Sequence, residues 1–282
     1  MENYQFIIKE YERDRLGIGN VLKCLITSLS INDDVKIQCA PNYTYGQYDT
    51  ILEDRFIHHE LVPTTKEIVR VNTCRFLLLY YEEEIQEDLP NEETLVEPIH
   101  PTFFHWYFTL QRRIDWYYDP TKVHPRIRSR ILEAIDKIRW KPIVMDTVSQ
   151  WHMAFALQVS LGISVRTWRA SHEQGVHRPY HPEVYFSAIR QAIHDHPEIQ
   201  VIVLSVDCSE AVSEYITHLS TMYPSRPIVL LSHLPYLNAI QYAVIKAFTL
   251  ARCNYFIGNR ISTFIELVYW FGRCQPVVYP VF

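Results

Sequence analysis

The chain has 282 residues, 48% of them hydrophobic and 21% charged, with a formal net charge of −5 at pH 7. That composition supplies a real core and excludes disorder, collagen-like repeats and disulfide-stapled mini-folds. The length suggests two domains, and the acidic balance argues against a dedicated nucleic-acid partner. Charge divides the chain: residues 1–140 carry 17 Lys/Arg and 23 Asp/Glu, whereas residues 141–282 carry 10 and 9. A sparsely charged second half is expected where strands are buried on both faces of a parallel sheet.

In chain order, a strand is expected at 4–8, then a helix over 21–29 and a strand over 35–39. RFLLLYY at 75–81 reads as a buried strand, the acidic stretch 82–97 as a solvated loop, and 125–138 as an amphipathic helix. The aromatic run 103–118 is a core helix or a stacking surface for a sugar. From 156 onward short apolar runs alternate with helical patterns. Strands are expected at 156–165, 201–206, 228–231, 255–257 and 276–279. Helices are expected at 183–194, 210–219, 238–251 and 264–271. This alternation implies a doubly wound parallel sheet. Six cysteines without CxxC spacing read as reduced, buried thiols. The N-terminus has no apolar leader, and the long uncharged run 227–245 is interrupted by Pro, Asn and Gln. A soluble, cytoplasmic protein without a membrane span is expected.

Ligands of doubly wound sheets bind outside the carboxyl ends of the strands, which selects four places. Gly17-Ile18-Gly19-Asn20 is a turn before an apolar helix that Asn20 can cap; it either approaches a ligand or is a plain capped turn. Arg166 and Arg169 leave a buried strand and suit bidentate binding of phosphate oxygens; surface pairing with carboxylates is the alternative. Asp207 ends a strand, where a carboxylate accepts from ribose or base, or caps the next helix. Thr263-x-x-Glu266 has the spacing of a capping box just beyond a strand, and such a helix terminus attracts anions.

Taken together, GIGN, VRTWRAS, VIVLSVD and CNYFIGNRISTFIELVYWFG resemble the fucosyltransferase superfamily, which includes α1,6-fucosyltransferases and protein O-fucosyltransferases. The family's G-x-G-N turn matches Gly17, Gly19 and Asn20. Its H-x-R motif matches up to Arg166 with Ser164 in place of histidine, and the His181-Pro182-Glu183 helix start is similar. The resemblance implies an α/β GT-B fold of two Rossmann-like domains facing a cleft: residues 1–140 on the acceptor side and 141–282 holding a nucleotide sugar. It implies that Arg166 holds the donor's diphosphate, Asp207 its base or ribose, and Ser262, Thr263 and Phe264 the phosphates and sugar. A bacterial or viral member is implied, acting in the host cytoplasm if viral.

The resemblance implies an inverting transfer from a GDP-fucose-like donor to a glycan, and the arginine pair facing a helix N-terminus leads us to expect it without a divalent metal or other cofactor. Departures at Ser164 and after Arg169 leave UDP-xylose or another UDP-sugar open, as well as a binding protein of this fold without transfer. Inversion needs a general base, for which Glu173 is chosen, with His172 and Asp115 as rivals. No D-x-D, G-x-S-x-G or P-loop pattern occurs, and the histidines at 172, 177 and 181 fit no standard metal spacing.

Overall fold

The computed structural model describes residues 4–9, 18–30, 32–38, 47–59, 64–72, 118, 125–167, 181–259 and 262–281. The expectations for 75–81 and 82–97, and for 103–118 apart from Tyr118, lie outside these residues. The chain divides into two compact units, Met1–Pro142 and Ile143–Phe282.

In the N-terminal unit, β1 (Tyr4–Lys9), β2 (Val35–Gln38) and β3 (Glu67–Asn72) form a parallel sheet in the order β2-β1-β3. Helix α1 (Ile18–Leu29) connects the first two strands and is buried almost all round. Helix α2 (Pro125–Lys137) packs on α1. The buried Ile131, Ala134, Ile135 and Ile138 recur at the spacing of one helical face. The strand β3 has no counterpart among the sequence expectations. It is an edge strand, EIVRVN, whose charged residues break the apolar run and whose Ile68 is exposed.

The C-terminal unit opens with α3 (Pro142–Met153), which periodicity also failed to reveal because only Val144, Thr147 and Val148 are buried. Five parallel strands follow: β4 (Ser160–Val165), β5 (Val201–Val206), β6 (Ile228–Leu230), β7 (Tyr255–Asn259) and β8 (Val277–Val281). Helices α4 (Pro182–Asp195), α5 (Ser209–Met222), α6 (Ala239–Leu250) and α7 (Thr263–Phe271) connect them. The sheet order is β6-β5-β4-β7-β8. Every residue of β4 and β5 is buried, which is why these strands read as continuous apolar runs. Leu161, Ile163, Ile202 and Leu204 pack with Tyr185 and Ile189 of α4 and Tyr215 and Leu219 of α5.

The strand expected to begin at Ala156 begins at Ser160. Residues 154–157 form a turn that leaves Leu157 99% exposed, so the apolar letters there were misleading. Gly258 allows the close approach of α7 to β7: a Cβ on it would stand 2.2 Å from Ile265 Cδ1. Cys24, Cys253 and Cys274 are buried, whereas Cys208 is partly exposed, correcting the expectation that all six are buried. Cys39 and Cys74 lie outside the described residues.

Candidate functional site

The C-terminal unit starts its sheet in the middle. From β4 the chain winds outward through β5 and β6, then returns along α6 to place β7 on the other side of β4. Such a reversal leaves a crevice beyond the carboxyl ends of the strands on either side of it. Arg166 and Thr167 leave β4 at this edge, Asp207 leaves β5, and Ser262, Thr263 and Phe264 follow β7 into α7.

Asp207 is the hub of the edge. Its carboxylate accepts the Thr167 backbone N–H at 3.0 and 3.1 Å and the Thr167 hydroxyl at 2.8 Å. Arg166 Nη1 lies 3.5 Å from its Oδ2. Two residues forty positions away are thereby fixed at the crevice by one carboxylate. Asp207 does not cap the following helix: Cys208 is the N-cap residue and makes no side-chain capping bond. Tyr185 of α4 secures the backbone of Arg166. Its fully buried hydroxyl accepts the Arg166 N–H at 2.8 Å and donates to the Arg166 carbonyl at 3.5 Å. The Arg166 side chain remains about a third exposed, 32%, against 18% for Asp207. A guanidinium anchored by a carboxylate and still open to solvent is suited to a second, anionic partner.

Lys246 of α6 joins this group. Its ammonium stands 4.4 Å from the Tyr242 ring centroid and 5.9 Å from that of Phe264. Burial draws its pKa down to about 8, Asp207 opposes that shift, and Arg166 adds to it. The Tyr242 phenol is pushed up to about 12 by burial and donates to the Leu231 carbonyl at 2.6 Å.

Two helix starts differ from the sequence expectation. Helix α1 begins at Ile18, so Gly19 and Asn20 lie inside its first turn and Asn20 does not occupy the N-cap position. In α7 the N-cap is Ser262, without a side-chain capping bond, while Thr263 is the first helical residue and Glu266 is fully buried one turn in. The expected Thr263–Glu266 capping box is therefore absent. A capping box forms instead at Asn238 and Gln241, where α6 begins. His181 does cap α4, accepting the Glu183 N–H at 3.3 Å.

The structure thus gathers Arg166, Asp207, Ser262, Thr263 and Phe264 at one edge of the C-terminal unit, while Gly19 and Asn20 belong to the N-terminal unit. Gly17, Arg169, His172, Glu173 and Asp115 lie outside the described residues. Sequence reasoning missed Lys246, Tyr185 and Thr167. The lone charge of Lys246 inside AIQYAVIKAFTL was the available signal. Among the described residues no three His, Cys, Asp or Glu side chains converge as a metal set, and no helix is long and apolar enough to cross a membrane.

No family model matches the sequence, and no curated protein matches it. Solved structures do. The fucosyltransferase NodZ from Bradyrhizobium is 14% identical, covering 94% of this chain and 92% of its own, with a TM-score of 0.51. The NodZ α-1,6-fucosyltransferase soaked with GDP-fucose gives 14%, 97%, 93% and 0.52. A mutant of Arabidopsis thaliana FUT1 in complex with GDP gives 12% identity, 99% of this chain, 70% of that one and a TM-score of 0.53. At these identities the likeness establishes the fold.

Proposed function

From a chain with the GT-B fold of the fucosyltransferases, we propose a glycosyltransferase that moves a sugar from a nucleotide-sugar donor, GDP-fucose-like, to a glycan acceptor. The observation that carries this reading is the Arg166–Asp207 pair, pinned through Thr167 and Tyr185 at the crevice of the C-terminal sheet. Its support from outside the molecule is that NodZ was soaked with GDP-fucose and the Arabidopsis protein was crystallised with GDP.

The chemistry is a single displacement with inversion and without a divalent metal. An acceptor hydroxyl oxygen attacks the anomeric carbon of the donor. The bond from that carbon to the diphosphate oxygen breaks, and its electron pair leaves on the phosphate. Arg166 meets the charge that grows there, a stabilisation strongest in the transition state. Glu173 takes the hydroxyl proton as general base, with His172 and Asp115 as the competing assignments. Ser262, Thr263 and Phe264 meet the phosphates and sugar. Arg169 meets the phosphates, and the family resemblance assigns Gly17, Gly19 and Asn20 to donor binding.

A panel of GDP-, UDP- and CMP-sugars, incubated with a glycan mixture in EDTA and read by mass spectrometry, tests the reading. Transfer from GDP-fucose or a UDP-sugar in EDTA is the expected result. Binding of GDP or UDP without transfer from any donor would identify a binding protein instead, and complete loss of nucleotide binding in EDTA would reject metal independence. Glu173→Gln is expected to abolish transfer while nucleotide affinity stays within a few fold. Transfer by that variant at the parental rate would place the base elsewhere.

A further inference from the structure

Resting on the nucleotide-sugar reading above, we infer that Lys246 is a second cation of the donor's diphosphate site, meeting the phosphate oxygens beside Arg166. Lys246 is the single charged residue of α6, a helix that buries Ile240, Val244, Ile245, Ala247 and Leu250. A lysine on such a helix ordinarily extends its stem to reach water. Here its ammonium is held over Tyr242, one turn earlier on α6, and near Phe264, on the first turn of α7. Both rings attract a cation through their faces without neutralising it.

Asp207 does not neutralise it either, because that carboxylate is engaged by Thr167 and Arg166. Among the described residues no carboxylate comes within ion-pair distance of Lys246. Arg166, Lys246 and Asp207, which act on one another electrostatically, therefore carry a net positive charge together. A diphosphate is the ligand class that such a pair of cations matches, since its two phosphates offer separate oxygens to a planar fork and to a point charge.

Lys246 also differs from Arg166 in being able to lose its proton near working pH. With its pKa drawn down to about 8 by burial, it is charged below that value and increasingly neutral above it. A bound anion favours the charged form, so binding above about pH 8 must be accompanied by proton uptake and weakens as pH rises. Among the described residues, the groups facing Lys246 are few. Asp207 at the end of β5 holds its proton on, and Arg166 at the end of β4 opposes this. Phe264 does not titrate, and Tyr242, with a pKa of about 12, stays neutral. His233, which precedes α6, stands edge-on to Tyr242 with ring centroids 5.0 Å apart.

Calorimetric titration of the full chain with GDP and UDP, from pH 7.5 to 9.5 at constant ionic strength, tests the inference. The parent is expected to lose about tenfold in affinity for the nucleotide it binds across this range. Lys246→Met is expected to bind about tenfold more weakly at pH 7.5 and to show a shallower fall, the scale of losing one charged hydrogen-bonding partner. Lys246→Arg is expected to keep parental affinity at pH 7.5 and lose less at pH 9.5. The nucleotide's own titration affects all three proteins alike, so the differences between profiles carry the result. A Lys246→Met protein with parental affinity and profile overturns the inference alone. Failure of the parent to bind either nucleotide overturns the donor reading and this inference with it. Should circular dichroism show Lys246→Met unfolded, an arginine variant that falls as steeply as the parent overturns the inference.

Discussion

In the N-terminal unit β1 lies between β2 and β3, and in the C-terminal unit β4, likewise the first strand of its sheet, lies between β5 and β7. The same reversal of direction thus occurs in both, but the described lysine or arginine ion pairs at the strand ends stand at opposite edges. In the N-terminal sheet, Asp34 accepts from Gln5 and pairs with Lys66 at 2.9 Å, and these residues stand at the amino ends of β2, β1 and β3. In the C-terminal sheet, Arg166, Thr167 and Asp207 meet at the carboxyl ends of β4 and β5. A partly exposed pair such as Lys66–Asp34 adds about 0–1 kcal/mol and ties strands together. The Arg166–Asp207 pair instead orients a cation at the edge where ligands of this architecture bind. Topology provides a crevice in each unit; among the described residues, Arg166 and Asp207 at the C-terminal strand ends supply chemistry suited to an anion.

The largest expected effect comes from removing that chemistry. Arg166→Ala should lower kcat by roughly 10²-fold or more, the scale of losing one preorganised electrostatic donor, and weaken nucleotide binding in calorimetry. Parental affinity in this variant would move the anion site out of the C-terminal crevice and break the contrast between the units.

Gly258→Val tests whether the crevice depends on the close fit of α7 against β7. The added side chain starts 2.2 Å from Ile265 Cδ1, and overpacking of this kind costs about 1–3 kcal/mol. Denaturant unfolding should report that loss, and nucleotide affinity should fall with it as Phe264 is displaced. An unchanged midpoint would mean that Ile265 turns aside freely and that the missing Cβ is not what seats α7.

The smallest effect sharpens the comparison from the other unit. Asn20→Ala removes a half-buried side chain from the first turn of α1. If this turn contributes one neutral hydrogen bond to the donor, nucleotide affinity should fall about fivefold, the equivalent of roughly 1 kcal/mol. Unchanged affinity would assign donor binding to the C-terminal unit alone.

Much of the C-terminal architecture was legible in the sequence. VIVLSV at 201–206 and the run ending at Val165 are strands buried on both faces, so apolar letters alone marked them. The spacing of Ile131, Ala134, Ile135 and Ile138 marked α2 in the same way. Where one face is exposed or an edge is charged, as in α3 and β3, periodicity weakened and those elements went unseen. At 156–159 apolar composition suggested a strand where the chain makes a turn.

For the site, the sequence by itself placed Arg166 and Asp207 at the ends of strands and Phe264 at the start of a helix, because element ends are local features of the pattern. Only the tertiary structure decided their partners. Nothing in the order of residues joins Thr167 to Asp207, Tyr185 to the backbone of Arg166, or Lys246 to Phe264. These contacts exist because parallel strands stack their carboxyl ends at one edge and α6 and α7 pack beside each other. Local pattern records which face of each element is apolar, whereas the electrostatics of a site depend on distances across elements, and those are fixed only when the faces pack.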